Sequence, residues 1–112
     1  GVDVAAAVAR IIPLGVDAVG FNCGDLSLDD YIALADEYVS EVKKLKQDVT
    51  ILAEPNAGQP ELVDGKPVYK VTPDDFASAL QKIHSKGVSI RGGCCGTGPE
   101  HIEAVAKSRK KQ

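Results

Sequence analysis

The residues of this chain best suited to chemistry are its three cysteines. Cys94 and Cys95 stand side by side in "GGCCGT", residues 92–97, and Cys23 closes "VGFNC" much earlier in the chain. Three thiolates that leave one corner open form the ligand set of a catalytic zinc site, because soft sulfur donors hold the ion while the free corner admits a substrate atom. The same residues also admit blander readings, as free cysteines of a core or as a redox thiol. A Cys94–Cys95 disulfide would force strained geometry, and an odd count argues against a secreted disulfide framework. Neighbouring residues of an extended strand point to opposite sides. Gly92, Gly93 and Gly96 answer this by letting the backbone turn and bring both sulfurs round.

For such distant sulfurs to meet, the chain must return to one place, and its periodicities say how. Val4, Ala7, Val8, Ile11 and Ile12 recur at helical spacing until Pro13 and Gly15. Residues 16–23 read as a short buried strand ending at Asn22 and Cys23. A helix over 27–47 opens on a capping box of Ser27 and Asp30, carries Leu28, Ile32, Ala35, Val39, Val42 and Leu45 on one stripe, and closes in lysines. A second strand starts at Val49 and breaks at Pro55. Residues 61–72 read as a loop with room for one extended piece. Thr72 and Pro73 open a helix to residue 86 with Phe76, Leu80 and Ile83 inward. A third strand runs into the paired thiols, and a last helix begins at Pro99, with Thr97 as its cap and Ile102, Val105 and Ala106 as its inner face.

Strands alternating with helices predict an α/β fold of three βα units with parallel strands and right-handed crossovers. The carboxyl ends of parallel strands share one edge, so Cys23, the "EPNAG" break and Cys94–Cys95 converge where such folds place ligands.

Composition sets the remaining bounds. With 112 residues, 44% hydrophobic and 26% charged, the chain has a globular balance sufficient for one domain. Aromatics are only 4% and Trp is absent, so Val, Ile, Leu and Ala must build the core, which suits buried parallel strands. A net charge of −3 and a pI near 5.3 gather neither nucleic acid nor anionic lipid. The basic tail, residues 107–112, complements a helix dipole. No apolar run reaches the ~20 residues that span a bilayer, so no membrane partner and a cytoplasmic location are expected.

The stretches "GVDAVGFNC", "EPNAGQP" and "GGCCGTGPEHI" together resemble the homocysteine S-methyltransferase family, which groups the homocysteine domains of cobalamin-dependent methionine synthases with betaine-homocysteine methyltransferases. The resemblance covers essentially the whole chain. It implies an eight-stranded β/α (TIM) barrel, which takes ~250 residues, so residues 1–112 would be a single partial domain, the C-terminal part of that barrel. It also implies that Cys23, Cys94 and Cys95 bind Zn2+, and that homocysteine or a related thiol joins them as a zinc-bound thiolate and accepts a methyl group to give methionine. The donor would be methylcobalamin on another domain or a small molecule, and the fragment alone would be inactive.

Position nominates further residues at the same edge. Asn22 is expected to fix the backbone near Cys23. Glu54 is expected to orient a ligand, contact a substrate amine or pair with Arg91. Asn56 offers a fourth ligand, a hydrogen bond to a sulfur, or simple turn chemistry. His84 and His101 fall on helices and read as structural. Two raw sheet edges and an uncovered inner face predict self-association. The competing functions are a non-catalytic zinc-binding or structural module and a thiol redox protein.

Overall fold

The computed structural model describes residues 3–24, 26–45 and 48–109. Residues 46–47 of the expected second helix and 110–112 of the basic tail lie outside them.

Local chemistry explains each element. Asp3 caps α1 (Val4–Ile11) by accepting the Ala6 N–H at 2.7 Å, and a 3-10 turn over Ile12–Leu14 ends at Gly15 in the left-handed region. After β1 (Ala18–Asn22), the expected capping box forms in both directions: Ser27 accepts the Asp30 N–H, and Asp30 accepts the Ser27 N–H, opening α2 (Leu28–Lys44). Next come β2 (Thr50–Glu54) and a hairpin of β3 (Glu61–Val63) and β4 (Lys66–Val68). The Thr72 hydroxyl accepts the Asp75 N–H at the start of α3 (Pro73–Lys86), after which β5 (Ile90–Arg91) leads to α4 (Pro99–Arg109).

The hairpin replaces the expected loop. Its two strands are antiparallel and turn at Asp64–Gly65, with φ of +51° and +77°. The Asp-Gly dipeptide is itself the sequence signal for such a two-residue turn.

Strands β1, β2 and β5 form the expected parallel sheet, in that order, so their carboxyl ends share one edge. Val19, Phe21, Ile51 and Ala53 project to one face and are buried with Val8, Ile12, Tyr31, Ala35, Val39 and Ile83 of the helices. A second cluster gathers Ala57, Phe76, Leu80 and Val105, and Leu28 packs on both. Among the described residues no helix covers the opposite sheet face: Asn22, Thr50 and Glu54 are exposed there, and Ile90 is 48% exposed. Among the described residues, no helix is long and apolar enough to cross a membrane.

Two helix faces differ from their expected stripes. In α2 Tyr31, off the expected stripe, is as fully buried as Ala35 on it, while Leu45, just past the helix's last residue, is 38% exposed. In α4 only Val105 is buried, because the helix packs on α3. Ile102 and Ala106 instead line an open cleft of about 220 Å³ with Ser89, Arg91 and Arg109 beside the short edge strand β5.

Gly20 is required by space. A Cβ there would lie 1.9 Å from the Leu52 carbonyl oxygen of the neighbouring strand. Gly20→Ala is therefore expected to cost about 1–3 kcal/mol through forced separation of β1 from β2, read as a lower urea midpoint of the metal-free chain. An unchanged midpoint would contradict this strand packing.

Candidate metal centre

The parallel sheet delivers the three sulfurs as its topology requires. Each ends or follows a strand, and the Sγ atoms of Cys23, Cys94 and Cys95 all lie within 4.8 Å of one another. Cys23 and Cys95 are 3.8 Å apart, and all three thiols are free. Two sulfurs each about 2.3 Å from a tetrahedral zinc stand about 3.8 Å apart, so the donor set fits that ion in type and spacing. No second group of three or more possible ligands occurs among the described residues.

The paired cysteines meet because they have left the strand. β5 ends at Arg91, and the Thr97 N–H closes a turn on the Cys94 carbonyl at 3.2 Å. The three glycines serve this turn differently. Only Gly96 has a positive φ, +79°. Gly93 supplies room instead, since a Cβ there would meet the Thr97 side chain at 2.6 Å. Cys23 is itself left-handed, with φ +54°, and Gly24 follows at +82°.

Asn56, 6% exposed, is the clip between the two turns. Its Oδ1 accepts the Cys95 N–H at 2.9 Å, and its Nδ2 donates to the Gly24 carbonyl at 2.7 Å. These partners fix which end of the amide is oxygen, because an N–H needs an acceptor and a carbonyl a donor. The amide oxygen is thereby engaged by the Cys95 backbone. Backbone bonds tighten the same joint: Cys23 N–H to Glu54 O, Cys94 N–H to Pro55 O, and Ala57 N–H to Cys95 O.

Sequence reasoning missed Tyr31. Its hydroxyl donates to the Cys23 carbonyl at 2.6 Å and accepts the Asn56 N–H at 3.3 Å. Its place at an α2 position next to the apolar stripe was the available signal. Asn22 does not perform the backbone role expected of it. It is exposed, and among the described residues its side chain makes no hydrogen bond to Cys23, because alternation turns it to the open sheet face. Glu54 stands beside it in register. The Glu54–Arg91 pair is absent, since Arg91 lies opposite Ala53 and so projects to the other face. The Arg91 Nη1 atom is buried without a partner, and burial, then Arg109, holds the guanidinium below its ordinary value.

The thiols share protons unequally. Cys23 is held below the ordinary thiol range by hydrogen bonds, first with Cys94, then with the Gly24 backbone, Cys95 and Asn56, against opposing burial. Cys95 is held above it, first by its hydrogen bonds with Cys23 and Cys94 and then by their negative charge.

Both histidines are structural. The Gly98 N–H donates to His101 Nδ1 at 3.1 Å, so the ring proton sits on Nε2 and is donated to the Val71 carbonyl at 3.0 Å. His101 thus does the capping expected of Thr97, whose hydroxyl is turned to the Cys94 carbonyl. His84 Nδ1 bonds the Val88 carbonyl at 3.1 Å.

The sequence profile described as homocysteine S-methyltransferase matches residues 1–109. The chain belongs to the homocysteine S-methyltransferase family. It is 37% identical over 109 residues to a methionine synthase of Mycobacterium leprae (strain TN) and 36% identical over the same length to one of Mycobacterium tuberculosis (strain ATCC 25618 / H37Rv). Each alignment covers 95% of this chain and 8% of the relative. Homocysteine S-methyltransferase 2 of Arabidopsis thaliana is 35% identical over 95 residues, 82% of this chain and 26% of that protein. This member of the family therefore spans about a quarter of the shorter relative's length and far less of the two longer ones.

In this chain, Asn56→Ala leaves the Cys95 N–H and the Gly24 carbonyl unpartnered, for an expected loss of about 1–3 kcal/mol in urea unfolding. Asn56→Asp is expected not to restore stability, because a carboxylate cannot donate to Gly24 O. Full stability in either variant would remove the clip from the account.

Proposed function

We propose that this chain is the metal-binding part of a methyltransferase that makes methionine from homocysteine, with Cys23, Cys94 and Cys95 as the ligands of a zinc ion. The observation that carries this reading is the meeting of three free sulfurs from opposite ends of the sequence within 4.8 Å. Membership of the family supports the acceptor, homocysteine. Zinc held by three thiolates supplies a Lewis acid that lowers the pKa of an incoming thiol while leaving its sulfur nucleophilic.

The chain's own residues then have distinct tasks. The cysteines hold the ion, and Asn56 and Tyr31 hold the backbones that carry the cysteines. Glu54 and Asn22, exposed at the carboxyl edge of the sheet, are placed to contact the polar groups of the amino acid, Glu54 as acceptor for its ammonium group. The reaction class is transfer of a methyl group to sulfur: the S–C bond forms from the sulfur lone pair, and the donor keeps the electrons of the bond to carbon that breaks. That donor is methylcobalamin carried on another domain or a small methylated molecule.

Residues 1–112 then form one partial domain, three βα units from the C-terminal part of an eight-stranded barrel. The uncovered sheet face and the 26% share of the shorter relative support this reading. They also favour a second reading of the isolated chain, a zinc-binding module without turnover that self-associates through its bare face. A cytoplasmic location suits three reduced thiols.

Metal analysis of the purified chain is expected to give about one zinc per chain, lost on Cys23→Ser, Cys94→Ser or Cys95→Ser. Metal retention after all three single changes would sink the assignment. In a polypeptide that also carries the remaining strands, homocysteine methylation is expected, and Cys23→Ser should lower it by about 10³-fold or more through loss of the Lewis acid. A longer polypeptide with bound zinc and no methyl transfer from any of the named donors would defeat the enzyme reading.

A further inference from the structure

Among the described residues, the buried side-chain nitrogen left without a hydrogen-bond partner is Nη1 of Arg91. A guanidinium carries five N–H donors and is never neutral, so a buried, unpaired nitrogen is costly. On a finished surface the long stem of an arginine lets its head reach water. Register places Arg91 opposite Ala53, so its side chain instead leaves the sheet on the helix side, toward α4.

The cleft it enters is an unfinished contact. Ser89, Ile102, Val105 and Ala106 make walls that are mainly apolar, and Arg109 joins from the end of α4, so about 220 Å³ of open space is lined by two cations and no carboxylate. No ion pair among the described residues includes either arginine. Beside the cleft runs β5, an edge strand that pairs with β2 on one side only. Such an edge offers unpaired backbone donors and acceptors, and on a strand added along it the residue opposite Arg91 would share the Arg91 face.

From this geometry we infer that the Arg91–Arg109 cleft receives a carboxylate borne on a strand that pairs with the free edge of β5, supplied by the part of a longer polypeptide that closes the barrel. This rests on the barrel reading, in which the last strand has a neighbour on both sides. It adds what closure alone does not give, the sign and the place of one side chain across the seam. Charge selects this occupant, because the planar fork of a guanidinium takes both oxygens of a carboxylate. Ile102 and Ala106 offer apolar surface to the rest of the incoming segment. The chain spans 26% of the shorter relative, so a polypeptide of that length has ample sequence to carry the acid.

The test places one substitution in two settings. In residues 1–112 alone, Arg91→Met keeps an unbranched stem in the cleft and removes an unpaired cation, so the urea midpoint is expected to hold or rise. In a polypeptide that also carries the remaining strands, the same change leaves a buried carboxylate alone, and the midpoint is expected to fall, with the unfolding equilibrium shifted by about 10²-fold or more. Arg91→Lys, which keeps a cation, is expected to recover part of that loss. A midpoint that falls in both settings, or that does not fall in the longer one, would overturn the pair, as would a Lys variant no better than Met. Self-association of residues 1–112 that Arg91→Met abolishes would make a second copy the occupant, against the proposal. Hydrogen exchange reads the barrel separately: the β5 amides are expected to gain protection in the longer polypeptide, and no gain would defeat the barrel reading itself.

Discussion

One buried amide ties this molecule's ends together. Gly24 and Cys95 belong to turns at opposite ends of the sequence, and the Asn56 side chain spans them with one hydrogen bond to each. A parallel sheet brings its strand ends to one edge but does not say how loops beyond that edge should lie. Tyr31, buried beneath, fixes the Cys23 carbonyl and the Asn56 backbone together. Sulfur convergence is thus a property of main-chain hydrogen bonding, and the thiols themselves contribute little to it.

This division of labour explains why the site sits on so short a strand. β5 has only two residues in the ladder, too few to position a rigid turn by pairing alone. The missing constraint comes from Pro55, Asn56 and Ala57, which bond Cys94 and Cys95 from the neighbouring loop. The loop after β2 therefore acts as a continuation of the sheet in which a side-chain amide stands in for a strand.

Much of this architecture is legible in the order of residues alone. The alternation of helical and extended periodicities gives three parallel strands, and Ser27–Asp30 and Thr72–Pro73 mark helix starts that occur where expected. The convergence of Cys23 with Cys94 and Cys95 follows from that topology. What the sequence hides is whatever depends on a partner distant in the chain. Tyr31 reads as an aromatic off the apolar stripe, and nothing local reveals that its hydroxyl meets the Cys23 carbonyl. His101 displaces Thr97 as the cap because Val71, 30 residues away, holds the other ring nitrogen. Ile102 matches a helical period yet faces an open cleft, since periodicity tells which residues share a face and not whether anything covers it.

Position 23 carries a further consequence. A β-carbon in left-handed backbone costs about 1 kcal/mol that glycine would avoid. Selection for thermal robustness alone would therefore favour glycine there, whereas retention of sulfur at φ +54° is a standing concession by the fold. On the proposed zinc reading, copies that no longer hold the ion should lose this cysteine early, and a glycine at that position would mark a descendant that keeps the architecture without the metal.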